Sequence, residues 1–340
     1  MTVFQFYKTF DTEQKCCDYL VKVRWPDGIK CPHCKHEKYY LTNGVSRQGR
    51  ETKKEIAYQQ YKCANSKCHK KFTVTTGTIF HGCKMPLWQF FFMIFTSVIN
   101  KKNISSYQQG VSLGLAQKNV WFMMSKIRML CFQDENLKFE GEIEVDEAFL
   151  AAGKFGTWRK HATNRKIPVL GILQRGGNIV IKVIPNRFKK TVQDIILKHV
   201  ECGSRLFTDS AACYFNMDSY YLHETINHRA GEYVRGDVYT NGIECAWAHL
   251  KKAINGTHHS VSILHLQRYC DEFAYRWNNR NLSPMDKFND LLKRGCNCKP
   301  ISNEKTKMDV KKRLKLKYTT EVFAAMPKIE SNNKSFLKIK

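Results

Sequence analysis

The chain has 340 residues, is 43% hydrophobic, and carries 56 lysines and arginines against 30 aspartates and glutamates, a formal charge of +26. That length holds two or three domains of roughly 100–200 residues each. The excess of positive charge points to a polyanion, nucleic acid ahead of an anionic membrane surface. No apolar run reaches the ~20 residues of a spanning helix, and the N-terminus, with Asp11 and Glu13, lacks a secretory-signal pattern. Fourteen cysteines are scattered along the chain and only four have ligand-like spacing, which favours a reducing compartment over a disulfide scaffold. An intracellular protein, cytoplasmic and nucleoid-associated, with no membrane partner is therefore expected.

Cys31-Pro-His-Cys34 and Cys63-Ala-Asn-Ser-Lys-Cys68 are two cysteine pairs separated by a polar, Lys-rich stretch. Two thiolate pairs on tight turns suit tetrahedral Zn²⁺, which in so small a unit supplies folding energy outright. His33 and His69 are alternative ligands, because the second pair is wider than the usual spacing. Flanking alternation predicts short strands, hence a zinc ribbon over 1–85. A helical module follows over 86–135. Leu87 to Ile99 is apolar on all sides and reads as a buried helix. Residues 104–111, a turn at 112–115 and 116–128 then read as helix, turn, helix. In that arrangement Gln117, Lys118 and Asn119 face a DNA major groove.

Glu142 to Leu150 alternates acid and apolar residues, a strand with Glu142, Glu144 and Asp146 on one face and Glu147 on the other. A basic loop with Lys154, Arg159, Lys160 and Arg165 comes next, suited to gripping backbone phosphates. Strands at 169–173 and 179–184 join through a hairpin at Arg175-Gly-Gly-Asn. A helix over 191–199 and a short strand ending on Asp209 complete the series. Three hairpin-linked strands and a crossover to a fourth make the ribonuclease-H arrangement. In it Asp146 and Asp209 converge.

The stretch Val238 to Lys251 reads as a helix capped by Thr240 or Asn241, with Ile243, Trp247 and Leu250 on its buried face and Glu244 and Lys251 projecting from nearly the same side. It brings a third acid. Three carboxylates in one cleft need a cation, and oxygen ligands without cysteine favour Mg²⁺ or Mn²⁺. Each acid also has a plain alternative: Asp209 as a helix cap, Asp146 as a solvated strand residue, Glu244 as part of a capping box. Ile254 to Ser262 reads as a loop with His258 and His259 near phosphate. A helix over 263–279 leaves Arg268, Arg276 and Arg280 available to DNA or to acids. Residues 296–340 read as a basic, flexible tail.

Asp146-Glu-Ala-Phe-Leu with Gly153-Lys, Thr208-Asp209, Tyr239-Thr-Asn-Gly-Ile-Glu244 through Lys251, and Tyr269 to Arg280 together resemble the DDE insertion-sequence transposases with an N-terminal zinc ribbon, the ISXO-like and Merlin-related group. Thr76-Gly-Thr-Ile-Phe-His81 behind the ribbon is similar to the same family. The resemblance covers roughly 10–295. It implies an α/β fold: a ribonuclease-H-like mixed-sheet catalytic core over 140–295, preceded by a zinc ribbon and a helix-turn-helix-like module. It implies a metal-dependent DNA strand transferase with Asp146, Asp209 and Glu244 as the triad and Lys251 beside the phosphate. Asn241 stands near the third position too, and Glu244 is preferred as the stronger Mg²⁺ ligand with Asn241 in support. Double-stranded DNA, as terminal inverted repeats and target, is the implied partner, bound by a homodimer or larger synaptic complex. The chief rival is a non-catalytic zinc-ribbon DNA-binding regulator derived from a transposase. A stand-alone nuclease and a protein-binding scaffold are the others.

Overall fold

The computed structural model describes residues 1–45, 58–153, 165–259 and 261–300. Two helices open the chain, Val3–Thr9 (α1) and Glu13–Arg24 (α2), each started by a threonine side chain, Thr2 and Thr12, that accepts a backbone N–H. Tyr39–Val45 (β1), Tyr58–Cys63 (β2) and Lys71–Phe72 (β3) then form a small antiparallel sheet in that order. Its apolar content is slight: Tyr61 and Phe72 stack at 5.4 Å, with Trp25 edge-on to both.

Leu87–Ile99 (α3) is buried from Phe90 through Val98, as its unbroken apolar run requires. Ser106–Leu113 (α4) and Gln117–Leu130 (α5) follow. Their joint is tight. Gly114 closes α4 in the left-handed region, and a Cβ on Gly110 would come within 2.8 Å of the Leu115 carbonyl oxygen.

Glu142–Gly153 (β4), Arg165–Gln174 (β5) and Ile179–Val183 (β6) make an antiparallel meander. Lys189–His199 (α6) crosses over to Arg205–Asp209 (β7), which pairs parallel to β4. Leu222–Ile226 (β8) pairs parallel to β7, giving the order β6-β5-β4-β7-β8 of a ribonuclease-H-like sheet. Asn241–Ala253 (α7) and Ile263–Asn278 (α8) cover one face, between them Val261–Ser262 (β9), which pairs with the far end of β4. α6 covers the other face. The alternation of β4 is thus buried on both sides: Ile143 and Val145 pack toward α6, Ala148 and Leu150 toward α7 and α8.

Pro284–Asn297 (α9) leaves this sheet and returns to α3. Phe288 stacks edge-on against Phe91 at 5.6 Å, and Phe6 of α1 lies flat on Phe95 at 5.0 Å. One core therefore gathers α1, α2, α3, α5 and α9 from both ends of the chain. A buried ion cluster ties it to the sheet: Arg128 of α5 donates to Glu272 of α8 at 2.9 Å, and Asn103 donates to the same carboxylate at 2.6 Å. Burial pushes Glu272 up, but Arg128 and then Arg276 outweigh it and hold the carboxyl below its ordinary value. Among the described residues no helix is long and apolar enough to cross a membrane.

Candidate active site

The register of β4 and β7 sets the geometry. The two strands pair in parallel as far as Glu144 with Phe207, and Asp146 and Asp209 each stand two residues beyond, near enough for Asp209 to act on the Asp146 carboxyl. Asp146 pairs with Gly171 across β5, where a Cβ would sit 2.6 Å from the Trp247 ring. That glycine makes room for the Trp247 indole against the strand. Trp247 Nε1 then donates to Asp146 Oδ2 at 3.0 Å. Trp247 thus orients the first acid as well as filling the core, a role its helical spacing did not reveal. Gly171, a glycine in mid-strand, was the available signal.

Burial pushes the Asp146 carboxyl up to about 7; the Glu147 backbone and Trp247 pull it down, while the Glu147 and Asp209 carboxylates add to the rise. Asp209 is likewise raised, by burial first and then by Glu147, against the Ala211 N–H it accepts at 3.0 Å. On the opposite face of β4, Glu147 is fully enclosed and pairs with Arg187 at 3.0 Å. Cys213 Sγ reaches the same carboxylate at 3.0 Å. Glu244 stands further out, half exposed, on the solvent side of α7 with Asn241 and Lys251. His228 links it inward: Nε2 lies 3.4 Å from Glu244 Oε1 and 3.3 Å from the Thr240 hydroxyl. Neither His228 nor β8 was foreseen; the stretch 211–237 carries little hydrophobic periodicity.

Glu144 shares a face with Asp146, as the alternation requires, but that face is not solvated. Its side chain is 1% exposed and accepts the Ile243 N–H at 2.8 Å and Arg175 Nε at 2.9 Å. It, and not Thr240, caps α7, for Thr240 makes no side-chain capping bond. Gly242 permits this approach, since a Cβ there would meet Glu144 Oε2 at 2.8 Å. Arg175 is itself sandwiched between Phe207 and Tyr239, at 3.9 and 3.8 Å, and donates to the carbonyls of Asp237 and Tyr239. A buried ion pair thus fixes the start of the helix that carries Asn241 and Glu244.

The second cluster lies in the ribbon. Cys31, Cys34, Cys63 and Cys68 hold their sulfurs within 4.8 Å of one another. Measured edges are 3.9 Å for Cys31–Cys68 and 3.5 Å for Cys34–Cys63. A tetrahedron of Zn–S bonds of about 2.3 Å has edges of about 3.8 Å, so the donors fit Zn²⁺. His33 and His69 do not join the group. Lys35 and His69, each directly after the second cysteine of a pair, both take positive φ (65° and 46°), which makes the widened second turn end as the first does. The His36 backbone lowers the Cys34 thiol to about 7, favouring the thiolate. Among the described residues no other three His, Cys, Asp or Glu side chains come as close, so Asp146, Asp209 and Glu244 do not close to 4.8 Å.

Gln117, Lys118 and Asn119 are exposed at the start of α5, while the rest of that helix is largely buried. Lys154, Arg159 and Lys160 lie outside the described residues, as do 301–340 of the tail; Arg165 begins β5. Two basic residues have partners within the protein. Arg276 is 13% exposed and pairs with Glu272 at 3.3 Å. Arg280 donates to the carbonyls of Gly176 and Gly177 and so clasps the β5–β6 hairpin. Of the two kinds of partner open to them, DNA or acids, Arg276 meets an acid. His258 is also internal, packed on Tyr269 at 4.8 Å and lowered to about 4 by burial and by Arg128.

Residues 138–278 match the ISXO2-like transposase domain and residues 11–71 the transposase zinc-ribbon domain. A Halobacterium salinarum protein named as an uncharacterized protein in transposable element ISH50 is 26% identical over 288 residues, covering 79% of this chain and 92% of that protein.

Proposed function

Because the chain belongs to the DDE insertion-sequence transposases with an N-terminal zinc ribbon, we propose that it cuts and joins DNA at the ends of such an element. The observation that carries the reading is the pair Asp146 and Asp209 on adjacent strands, two oxygen donors whose carboxyls burial pushes upward within a strongly cationic chain. Such donors fit Mg²⁺ or Mn²⁺, which soft thiolate sites do not. Asp146, Asp209 and Glu244 are the residues to hold it, with Asn241 in support. Divalent ions held there would supply activation of the attacking oxygen and stabilisation of the leaving oxygen in an in-line phosphoryl displacement.

The chain's own residues do the remaining work. Trp247 fixes the rotamer of Asp146. Glu144 and Arg175 fix the start of α7, and with it the distance of Glu244 from the two strand acids. Lys251, on the same exposed side of α7 as Glu244, faces the scissile phosphate. In the first step a water oxygen bonds to phosphorus at an element end and the bond to the 3′ oxygen breaks, leaving a 3′-hydroxyl. In the second that hydroxyl bonds to a target phosphorus and displaces the target's own 3′ oxygen. Neither step needs a covalent protein intermediate. Gln117, Lys118 and Asn119 read a groove of the terminal repeat, and Lys154, Arg159, Lys160 and Arg165 hold phosphates. Joining two ends calls for a dimer or larger assembly.

The test is nicking and joining of duplexes bearing the inverted repeats that flank the coding region. Wild type with Mg²⁺ is expected to yield both nicked and joined product. Asp146→Asn is expected to bind equally and to lose at least about 10²–10³-fold in rate, the scale for removing one group that stabilises transition-state charge. Equal binding with no nicking by wild type would instead identify a DNA-binding regulator.

A further inference from the structure

Beyond Asp209 the site opens into a cavity of about 610 Å³, bordered by Ser210, Arg187, His228 and Phe215. We propose that this cavity is a nucleotide pocket, which takes one unpaired base of the bound DNA on the ring of Phe215 and the adjoining phosphate on Arg187. The proposal rests on the strand-cleaving reading above and adds to it a substrate feature: the duplex is opened beside the cut.

Phe215 is the first argument. It is 60% exposed although its neighbours Cys213, Tyr214 and Met217 are all buried. The ring is therefore held out of the core by a segment that is otherwise anchored in it. The backbone is fixed as well: Gln193 of α6 donates to the carbonyls of Cys213 and Phe215, and Asn216 turns the chain at φ 68°. A rigid, exposed aromatic face is what an unstacked base requires, and every base has a face to offer it.

Arg187 is the second. Glu147 holds it in place, yet the side chain remains 40% exposed and its guanidinium lies 5.5 Å over Phe149. Its free edge is available to a phosphate, which a planar guanidinium binds well. The cavity falls in the roughly 300–1,000 Å³ range of sites that take small organic ligands. It also opens directly onto Asp209, so an extruded base stays within reach of the cut.

The experiment uses the full zinc-loaded chain in magnesium-free buffer, with a duplex carrying one mismatched base pair beside the cleavage position and the fully paired duplex of the same sequence. Mismatching lowers the cost of opening, so wild type is expected to prefer the mismatched duplex. Phe215→Ala is expected to lose about 5- to 150-fold of that preference, the range for one stacked base, and Phe215→Tyr to keep it. A preference equal in wild type and Phe215→Ala, or absent in wild type, overturns the pocket. If the paired duplex is nonetheless bound and nicked once Mg²⁺ is added, the strand-cleaving reading stands without it. Failure to bind either duplex overturns both.

Discussion

Asp146 is expected to cost the metal-free protein stability. Its carboxyl is raised from an ordinary 3.8 to about 7, so the unfolded chain releases this proton first as pH rises. Stability from this group is thus full below about pH 4, falls between pH 4 and 7, and stays low above. At about 1.36 kcal/mol per unit, a rise from 3.8 to about 7 costs at most roughly 4–5 kcal/mol. Asp146→Asn is therefore expected to unfold at higher urea than wild type at pH 8 in magnesium-free buffer, with the gain vanishing below pH 4. Equal midpoints at pH 8 would mean that the acid is already compensated by the protein. Asp146 and Asp209 were legible because each sits where a strand pattern places it. Trp247 and His228 were not, because Trp247 meets Asp146 across 101 residues and His228 meets Thr240 across 12 residues with no regular pattern.

The start of α7 separates two explanations of its stability. A capping threonine contributes about 1 kcal/mol, but Thr240 makes no such bond here, so Thr240→Ala is expected to shift stability by less than about half that amount. Glu144→Ala removes the acceptor of the Ile243 N–H and leaves Arg175 without its buried carboxylate; breaking such a pair costs about 3–5 kcal/mol. Urea midpoints of the two variants settle the matter, and the reverse ranking would restore the local cap. The sequence pattern located α7 and its buried face correctly, since Ile243, Trp247 and Leu250 are all enclosed. It pointed to the wrong cap because Glu144 lies 99 residues from the N–H it accepts. β8 escaped notice for a different reason: Leu222 is exposed and Ile226 alone in that strand is buried, so no alternation is written into it.

Across the whole molecule, the ribbon and the helical core differ in what sustains them. Among the described residues, the cluster inside the ribbon has four buried members, two of them cysteines, whereas the core around α3 is extensive and aromatic. Removing zinc is expected to abolish hydrogen-exchange protection over β1 to β3 and leave α3 and α9 protected. Loss of protection in α3 as well would show that the two parts fold together. The joint between core and sheet is electrostatic. Glu272 is held below its ordinary 4.5 by Arg128 and Arg276, so its contribution is full above that value and is lost as pH falls through the lowered one. Glu272→Ala is expected to cost about 3–5 kcal/mol near neutrality and to remove this part of the acid dependence; a variant that unfolds in acid with an unchanged profile would place the dependence elsewhere. That the helices at the two ends of the chain share one core was beyond reach of the sequence, which presents them as separate short runs.

The central claim is that Asp146, Asp209 and Glu244 act as one divalent-ion site. Electron paramagnetic resonance of Mn²⁺, titrated into the zinc-loaded chain with an element-end duplex bound, tests it most directly. Wild type is predicted to take up two spin-coupled ions, and Asp146→Asn, Asp209→Asn and Glu244→Gln each to lose at least one. Uptake unchanged in any of the three would contradict the claim at that residue, and uptake unchanged in all three would end it.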